Sequence, residues 1–442
     1  VVEKARAAKQ AALMMATLTT EEKNGALEAI ARAIEANSER IVAANQADLA
    51  KAEQLLAEGR LTKAFVKRLR MDSGKVKEVV RMVRSVAALE DPVGRTLYAI
   101  EMDEGLEVYR VSTPIGVVGA VFESRPDVLP QISSLCLKAG DAVILKGGSE
   151  AKETNEVLYQ VIREASEAAG LPKGWIQLIE AREEVAALLG LEEYVDLLVP
   201  RGSKEFVKYV MENTNIPVLG HADGICQVYV DRAADLDKAL AICYDAKVQY
   251  PAVCNAVDTI LVHEAVAQEF IPRLVARLRE AGVEIWGCPR TRELVDEGVK
   301  PAGDREWGTE WLDLKVGIRV VDSLEAAIDH IHTYGSRHTD TIVTEDPATA
   351  LRFLREVDSS TVLWNASTRF SDGYRYGLGA EVGISTGKLH ARGPTGLEGL
   401  TIYKYVVIGR GHVVKDYVGS DARPFTHRPL KKSWREVAEA FG

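Results

Sequence analysis

Cys254 stands in the segment Gln249-Tyr250-Pro251-Ala252-Val253-Cys254-Asn255-Ala256, between a helical pattern over 236–248 and a strand pattern over 258–262. A thiol on such a turn can face a cleft, where its thiolate would attack an electrophilic carbon. A lone free cysteine is more often a small core hydrophobe, so Cys254 needs company before it reads as catalytic. Two basic turns offer that company. Lys146-Gly147-Gly148-Ser149 ends a strand pattern at 142–146, and Pro200-Arg201-Gly202-Ser203-Lys204 follows one at 195–199. Glycines there let a phosphate or ribose approach the backbone, Lys146 adds a point charge, and the N–H groups opening the next helix suit a pyrophosphate. Strand-to-helix turns also use Gly and Ser for geometry alone, so either turn by itself carries little.

Three further sets of side chains have chemical potential. Arg125, in Glu123-Ser124-Arg125-Pro126, is a fork of donors suited to an anion or oxyanion; a plain ion pair would use the same residue. Asn365-Ala366-Ser367-Thr368-Arg369-Phe370 offers an amide, two hydroxyls and a guanidinium for an amino-acid carboxylate, or simply a capped turn. His330, His332 and His338 have few carboxylates around them and fall near a helix C-terminus, where the dipole favours histidine, so no metal site is expected. The chain has no GxGxxG at its first strand and no Walker A motif.

The elements that must hold these residues follow from periodicity. Residues 1–90 read as helices with solvated charged faces, and Thr19-Thr20-Glu21-Glu22 and Asn37-Ser38-Glu39 supply start signals. Strand patterns at 96–100 and 106–111 flank Asp103-Glu104-Gly105, a hairpin signal. Continuous apolar runs at 115–122 and 142–146 mark strands buried on both faces. Helices are predicted over 128–138, 152–169, 183–189 and 204–212, with a further strand at 176–179. After His221-Ala222-Asp223-Gly224 a second series begins, with strands at 227–230, 258–262, 283–286, 318–321, 341–343 and 361–364. Its helices cover 265–281, 323–331 and 347–357; 400–407 reads as a last strand and 417–442 as mostly irregular. The alternation predicts an α/β protein with two doubly wound domains.

At 442 residues the chain exceeds one ordinary core, and 47% hydrophobic with 27% charged residues is the composition of a soluble globular protein. A formal charge of -10 argues against nucleic acid or an anionic membrane as partner, although a local basic pocket for a phosphorylated small molecule remains open. Five scattered cysteines without a CxxC pair indicate neither disulfides nor structural zinc, so a reducing, cytoplasmic home is expected. No apolar run is long enough to span a bilayer. The N-terminus lacks the apolar core of a signal peptide, and numbering from Val1 leaves room for a short leader.

The Cys254 segment shares the chain with Phe122-Glu123-Ser124-Arg125-Pro126, Ile144-Leu145-Lys146-Gly147-Gly148 and Val218-Leu219-Gly220-His221-Ala222-Asp223-Gly224-Ile225-Cys226. Further on come His330-Ile331-His332-Thr333-Tyr334-Gly335-Ser336-Arg337-His338-Thr339-Asp340, the Asn365 to Phe370 segment and Gly377-Leu378-Gly379-Ala380-Glu381-Val382-Gly383-Ile384-Ser385. In this order, over nearly the whole chain, the set resembles the γ-glutamyl phosphate reductase family of the aldehyde dehydrogenase superfamily. The resemblance implies an aldehyde dehydrogenase-like fold. A cofactor domain would cover 1–225, interrupted by the hairpin 96–111, and a catalytic domain 226–399; 96–111 with 400–442 would form an oligomerisation arm and tail.

The same resemblance implies Cys254 as nucleophile, with its N–H and Asn255 or Arg125 holding the oxyanion. Lys146, Gly148 and Ser149 would hold the adenosine ribose, and serine in place of an acid at 149 favours NADPH. Gly202 and Ser203 would meet the pyrophosphate, Glu310 the nicotinamide ribose, and Ser367 and Arg369 the substrate α-carboxylate. His221, counted with the substrate-binding residues, takes the place of the superfamily's hydrolytic glutamate, and Arg125 that of its oxyanion asparagine. Gln227 stands where histidine is expected in many relatives. The implied reaction is NADPH-dependent reduction of L-glutamyl 5-phosphate to L-glutamate 5-semialdehyde with release of phosphate, through a cysteine thioester, in proline biosynthesis. A homo-oligomer and association with glutamate 5-kinase are the implied partnerships, and the length suits a free-standing reductase over a fused kinase–reductase. The alternatives are an acylating aldehyde dehydrogenase for another acyl group, and a catalytically silent assembly subunit.

Overall fold

Val117–Phe122 and Ala142–Lys146 are buried at every position, as apolar runs must be when both faces of a sheet are covered. With Ile176–Ile179 and Leu197–Arg201 they form a four-stranded parallel sheet in the order 176–179, 142–146, 117–122, 197–201. The fourth strand begins later than its pattern predicts because Asp196 acts as a clamp at its entrance. The Asp196 carboxylate accepts the Val117 N–H at 2.8 Å and pairs with Lys9 at 2.7 Å. Gly116 beside it has φ +128, and a Cβ there would lie 2.3 Å from that carboxylate.

The computed structural model describes residues 1–442 except Ser124, Ala181, Arg182, Ala222, Asp296 and Gly442, and leaves aside the side chains of Lys63, Ala64 and Glu183. Ser124 and Ala222, which belong to two of the motif segments above, therefore lie outside the described residues. The chain divides into two compact units: 1–219 with 378–383 and 395–442, and 220–377 with 384–394.

The first unit opens with five helices, Val2–Met15, Thr20–Ala36, Ser38–Ala57, Lys63–Leu69 and Ser73–Ala87. Thr19 and Glu22 close a capping box as their spacing predicts. Asn37 makes no side-chain cap; its amide donates back to the Ala33 carbonyl at 2.8 Å, so it ends one helix instead of starting the next. The charged faces are not all solvated. Lys23 is buried against Asp91 at 2.6 Å, and the buried Lys138 donates to Asn24 Oδ1 and the Ala87 carbonyl. Helix Val128–Ala139 stops at Gly140, whose φ of +82 a side chain would oppose.

An antiparallel sheet completes this unit. The hairpin Thr96–Asp103 and Leu106–Pro114 turns at Gly105, φ +74, and Thr401–Ile408 pairs along it from Thr401 opposite Pro114 to Ile408 opposite Glu107. The tail departs from its irregular reading. Arg428–Pro429 adds to the hairpin edge at Ile100 and Glu101, and Trp434–Phe441 is a helix that packs Val437 against Tyr109 and Val111. Ser433 and Glu436 cap it with reciprocal bonds. Eight residues are too few for periodicity to reveal such a helix.

The second unit is built on a seven-stranded parallel sheet. Its strands run in the order Val299–Pro301, Glu284–Gly287, Lys315–Val321, Val257–His263, Cys226–Val230, Thr339–Val343 and Thr361–Trp364. The edge strand Val299–Pro301 has no counterpart in the sequence reading; it is short and ends in proline, which is tolerated only at an edge. Helices Leu236–Val248 and Glu264–Glu280 bury Ala239, Cys243, Phe270 and Leu274 with Val228, Ile260 and Ile318 in one core. Asp235 caps the first of these helices by accepting from Asp237 and Lys238.

Candidate active site

Helix Leu236–Val248 hands over at Gln249 to a turn through Pro251, and strand Val257–His263 starts just beyond. Cys254 lies on this turn and is half-buried. The neighbouring strands begin at Cys226 and at Thr339, so Cys226, Cys254 and His338 gather at the amino ends of three adjacent parallel strands. Open parallel sheets usually receive ligands at the carboxyl ends of their strands. Here Cys254 is at the other end.

Gly224 is what lets the preceding segment lie against the turn. A Cβ there would fall 2.4 Å from Cys254 Cβ, 2.7 Å from its carbonyl and 2.7 Å from Glu310 Oε1. The Cys226 thiol donates to the Cys254 carbonyl at 3.1 Å. Burial, then Asp258, push that thiol well up, so it stays protonated as a donor. Asn255, buried, donates to the Ser371 carbonyl at 2.7 Å, while its Oδ1 has no partner among the described residues.

Two histidines face the thiol. The Cys254 sulfur, one ring nitrogen of His221 and one of His338 lie within 4.8 Å of one another. The His221 and His338 rings meet edge to face at 4.8 Å, and His221 Nδ1 is 2.7 Å from the Ile384 carbonyl. His338 is fully buried; its Nδ1 contacts Thr339 Oγ1 at 2.9 Å and its Nε2 has no partner among the described residues. The other two histidines of the tract go elsewhere. His330 bonds Gln227 Oε1 at 2.8 Å and burial pulls it down to about 3, which makes it a neutral core residue, and His332 accepts from the Asp358 N–H.

Arg369 supplies charge. It is only 8% exposed, donates to Gln249 Oε1 at 2.9 Å, and burial lowers its pKa while the negative form of Cys254 is among the groups that raise it. Ser367 accepts the Arg369 N–H and so orders the short turn Thr368–Phe370. Glu310 also belongs to this unit, beside Gly224: burial pushes its carboxyl up to about 7, Asp258 adds to that, and the Gly224 N–H and His221 oppose it. Within the strands, burial raises Asp258 to about 6 against Lys247 and two N–H groups, and Asp340 to about 7 against Ser359 and the Gln227 N–H.

In the first unit the two basic turns stand at the carboxyl ends of the two strands that flank Val117–Phe122, with Val121 opposite Lys146 and Phe122 opposite Arg201. Lys146 is buried, donates to the Gly147 carbonyl, and has its pKa lowered by burial while Glu150 opposes this. A Cβ on Gly147 would lie 2.1 Å from Asn155 Nδ2, and one on Gly148 would lie 2.2 Å from Glu150 Oε1. Asn155 Oδ1 is buried without a partner among the described residues. Ser149 opens the turn Ser149–Ala151. Ser203 caps helix Lys204–Glu212, and its own N–H donates to the Glu123 carboxylate at 2.8 Å, which a Cβ on Gly202 would approach to 2.4 Å. A carboxylate of the chain thus sits at the turn expected to receive a pyrophosphate. Arg125 pairs with Asp127 at 3.0 Å, and Lys75 joins them; burial raises the Asp127 carboxyl, and Arg125 and Lys75 more than reverse it. Use of Arg125 on an external anion would require exchange of that carboxylate.

His338, which the sequence offers only alongside His330 and His332, is brought to Cys254 by the fold. Its strand was predicted from 341, whereas it starts at Thr339, with Arg337 at φ +63 just before. Glu150 and Glu123 were likewise not counted at their turns.

Residues 1–285 match the model of the aldehyde dehydrogenase family. The γ-glutamyl phosphate reductase of Natronomonas pharaonis is 57% identical over 431 residues, covering 98% of each chain. That of Haloquadratum walsbyi is 55% identical and covers 98% of this chain and 96% of its own. Among solved structures, the γ-glutamyl phosphate reductase of Thermotoga maritima is 40% identical, with a TM-score of 0.90, covering 93% of this chain and 99% of that one.

Proposed function

The chain belongs to the γ-glutamyl phosphate reductase family of the aldehyde dehydrogenases, and from that premise we propose that it reduces L-glutamyl 5-phosphate to L-glutamate 5-semialdehyde in proline biosynthesis. The observation that carries the mechanism is a half-buried Cys254 on a built turn, with two imidazole nitrogens within 4.8 Å and a buried guanidinium acting on its charge. The Cys254 thiolate attacks the acyl carbon; the carbon–oxygen bond to phosphate breaks and phosphate leaves with the electron pair. Phosphate is a good leaving group and needs no strong acid. The oxyanion is held by the Cys254 N–H, with Asn255 fixing the turn that presents it. When bound, NADPH supplies the hydride that reduces the thioester. The carbon–sulfur bond then breaks, the aldehyde departs and the thiolate is restored. The thiolate is the nucleophilic form, and the buried guanidinium of Arg369 serves to favour the anion. In this reading Arg369 also faces the substrate α-carboxylate, with Ser367 setting its position.

The first unit's turns fit a dinucleotide: glycines hold space open, Lys146 is a buried cation, and Asn155 offers an unused acceptor. Lys146, Gly148 and Ser149 would take the adenosine ribose, Gly202 and Ser203 the pyrophosphate, and Glu310 the nicotinamide ribose. Glu123 yields the Ser203 N–H when pyrophosphate binds. Glu150 opposes a 2′-phosphate at this turn and Lys146 favours it, so their balance sets the preference for NADPH.

Oxidation of L-glutamate 5-semialdehyde in the reverse direction tests the reading. It should require inorganic phosphate, because phosphate is the acceptor of the acyl group, and short aliphatic aldehydes should be poor substrates. Equal rates without phosphate would identify a hydrolytic dehydrogenase. Equal rates with aliphatic aldehydes would favour a different acyl substrate.

A further inference from the structure

The atoms around Cys254 have a second chemical capacity, independent of any acyl substrate. A thiol sulfur and two imidazole nitrogens, delivered by three segments distant in sequence, lie within 4.8 Å of one another. Sulfur with two imidazoles is a donor set for zinc and its neighbours, whereas magnesium and calcium take oxygen ligands. Both histidines are already oriented from behind. His221 Nδ1 is 2.7 Å from the Ile384 carbonyl, a bond that places the proton on Nδ1 and makes Nε2 the basic nitrogen. His338 Nδ1 contacts the Thr339 hydroxyl at 2.9 Å, and the Cys226 sulfur lies 3.4 Å away.

A second observation points to a ligand. His338 is 0% exposed, and its Nε2 has no hydrogen-bond partner among the described residues. Buried polar atoms rarely stay unpaired without a function or a missing partner. Tetrahedral zinc with bonds of about 2.0–2.3 Å sets its ligands roughly 3.5 Å apart, so modest side-chain rotation closes the triad. Cys254 and His221 are each partly exposed and His338 is buried.

We propose that Cys254, His221 and His338 form a site for a thiophilic divalent cation of the zinc class, and that its occupancy reversibly silences the nucleophile. On binding, the thiol releases its proton to solvent, a sulfur–metal bond forms, and no electrons are exchanged. Binding follows from the donor geometry alone; that it inhibits rests on Cys254 being the nucleophile.

Cobalt titration of the reduced full-length protein separates the two claims. One equivalent of Co²⁺ per chain should produce a thiolate-to-cobalt charge-transfer band with the visible bands of tetrahedral cobalt, and zinc should displace it. Cys254→Ser should abolish the band, and Cys288→Ser, which changes another half-buried thiol, should keep it. His338→Gln and His221→Gln should each weaken binding by more than the about 10- to 100-fold that loss of an outer-shell partner costs. Two variants guard against misfolding of either, with NADPH binding as the control for fold. Zinc should also block alkylation of Cys254 and inhibit semialdehyde oxidation over the same concentration range. Absence of the band in the wild-type protein, or its persistence in Cys254→Ser or in both histidine variants, would overturn the site. A band with the predicted variant pattern but no loss of activity would overturn the silencing and leave the site standing.

Discussion

In the proposed mechanism Cys254 has to remain an anion long enough to attack, and a buried guanidinium answers that need with charge. Arg369 contributes a buried positive charge. Arg369→Gln should remove a charge-assisted interaction worth about 1.5–3 kcal/mol, lowering kcat/KM about 10- to 100-fold; steady-state kinetics with the semialdehyde checks this. Glu150→Ala removes the acid beside Lys146 and Gly148, so the KM for NADPH should fall relative to that for NADH. An unchanged ratio would remove Glu150 from cofactor choice. At this scale the sequence pattern singles out Cys254, Arg369 and Ser367 as candidates, because a thiol after a proline break and a cluster of hydrogen-bonding residues after a strand are local signals; the role of nucleophile comes from the family resemblance. The placing of His338 beside Cys254 was not legible. Its approach to Cys254 depends on two strands pairing across the sheet and on where the second one starts.

Among the elements, strands 257–263 and 339–343 carry the Asp258 and Asp340 carboxyls, and Cys254 lies on the turn that leads into the first of them. Gly224 sits where a methyl group would meet the Cys254 carbonyl and Cβ. Gly224→Ala should displace the nucleophile and lower kcat about 100-fold, while circular dichroism and NADPH binding stay as in the parent. Asp340 titrates near 7 through burial, against an ordinary value of 3.8. The folded state then binds more protons than the unfolded one between those values, so this group's contribution declines as pH rises from about 4 to 7. Asp340→Asn should accordingly gain in melting temperature, relative to the parent, at pH 8 compared with pH 5; a difference independent of pH would contradict it. Continuous apolar runs made the buried strands legible almost to their ends. The late start of Leu197–Arg201 was hidden because Asp196 bonds to a strand far away in sequence. Helix Trp434–Phe441 was hidden because its apolar residues meet Tyr109 and Val111 only after folding.

For the molecule as a whole, alternation of strands and helices was enough to indicate two α/β units. Long-range charge pairing was beyond reach of the pattern. Lys23 is 1% exposed and meets Asp91 across 68 positions of sequence, in a region whose charges read as solvated. Asp91→Ala would leave that ammonium buried and uncompensated, and should lower stability by about 3–5 kcal/mol, seen as an earlier denaturation midpoint in urea. Conversion of an acyl phosphate through a cysteine thioester is the claim on which the functional account rests. Mixing the enzyme with L-glutamate 5-semialdehyde and NADP without phosphate, then following NADPH and the intact mass of the chain, tests it most directly. The account predicts a burst of one NADPH per chain, an acyl adduct on Cys254, and turnover only after phosphate is added. Steady turnover without phosphate, or a burst that persists in Cys254→Ala, would contradict it.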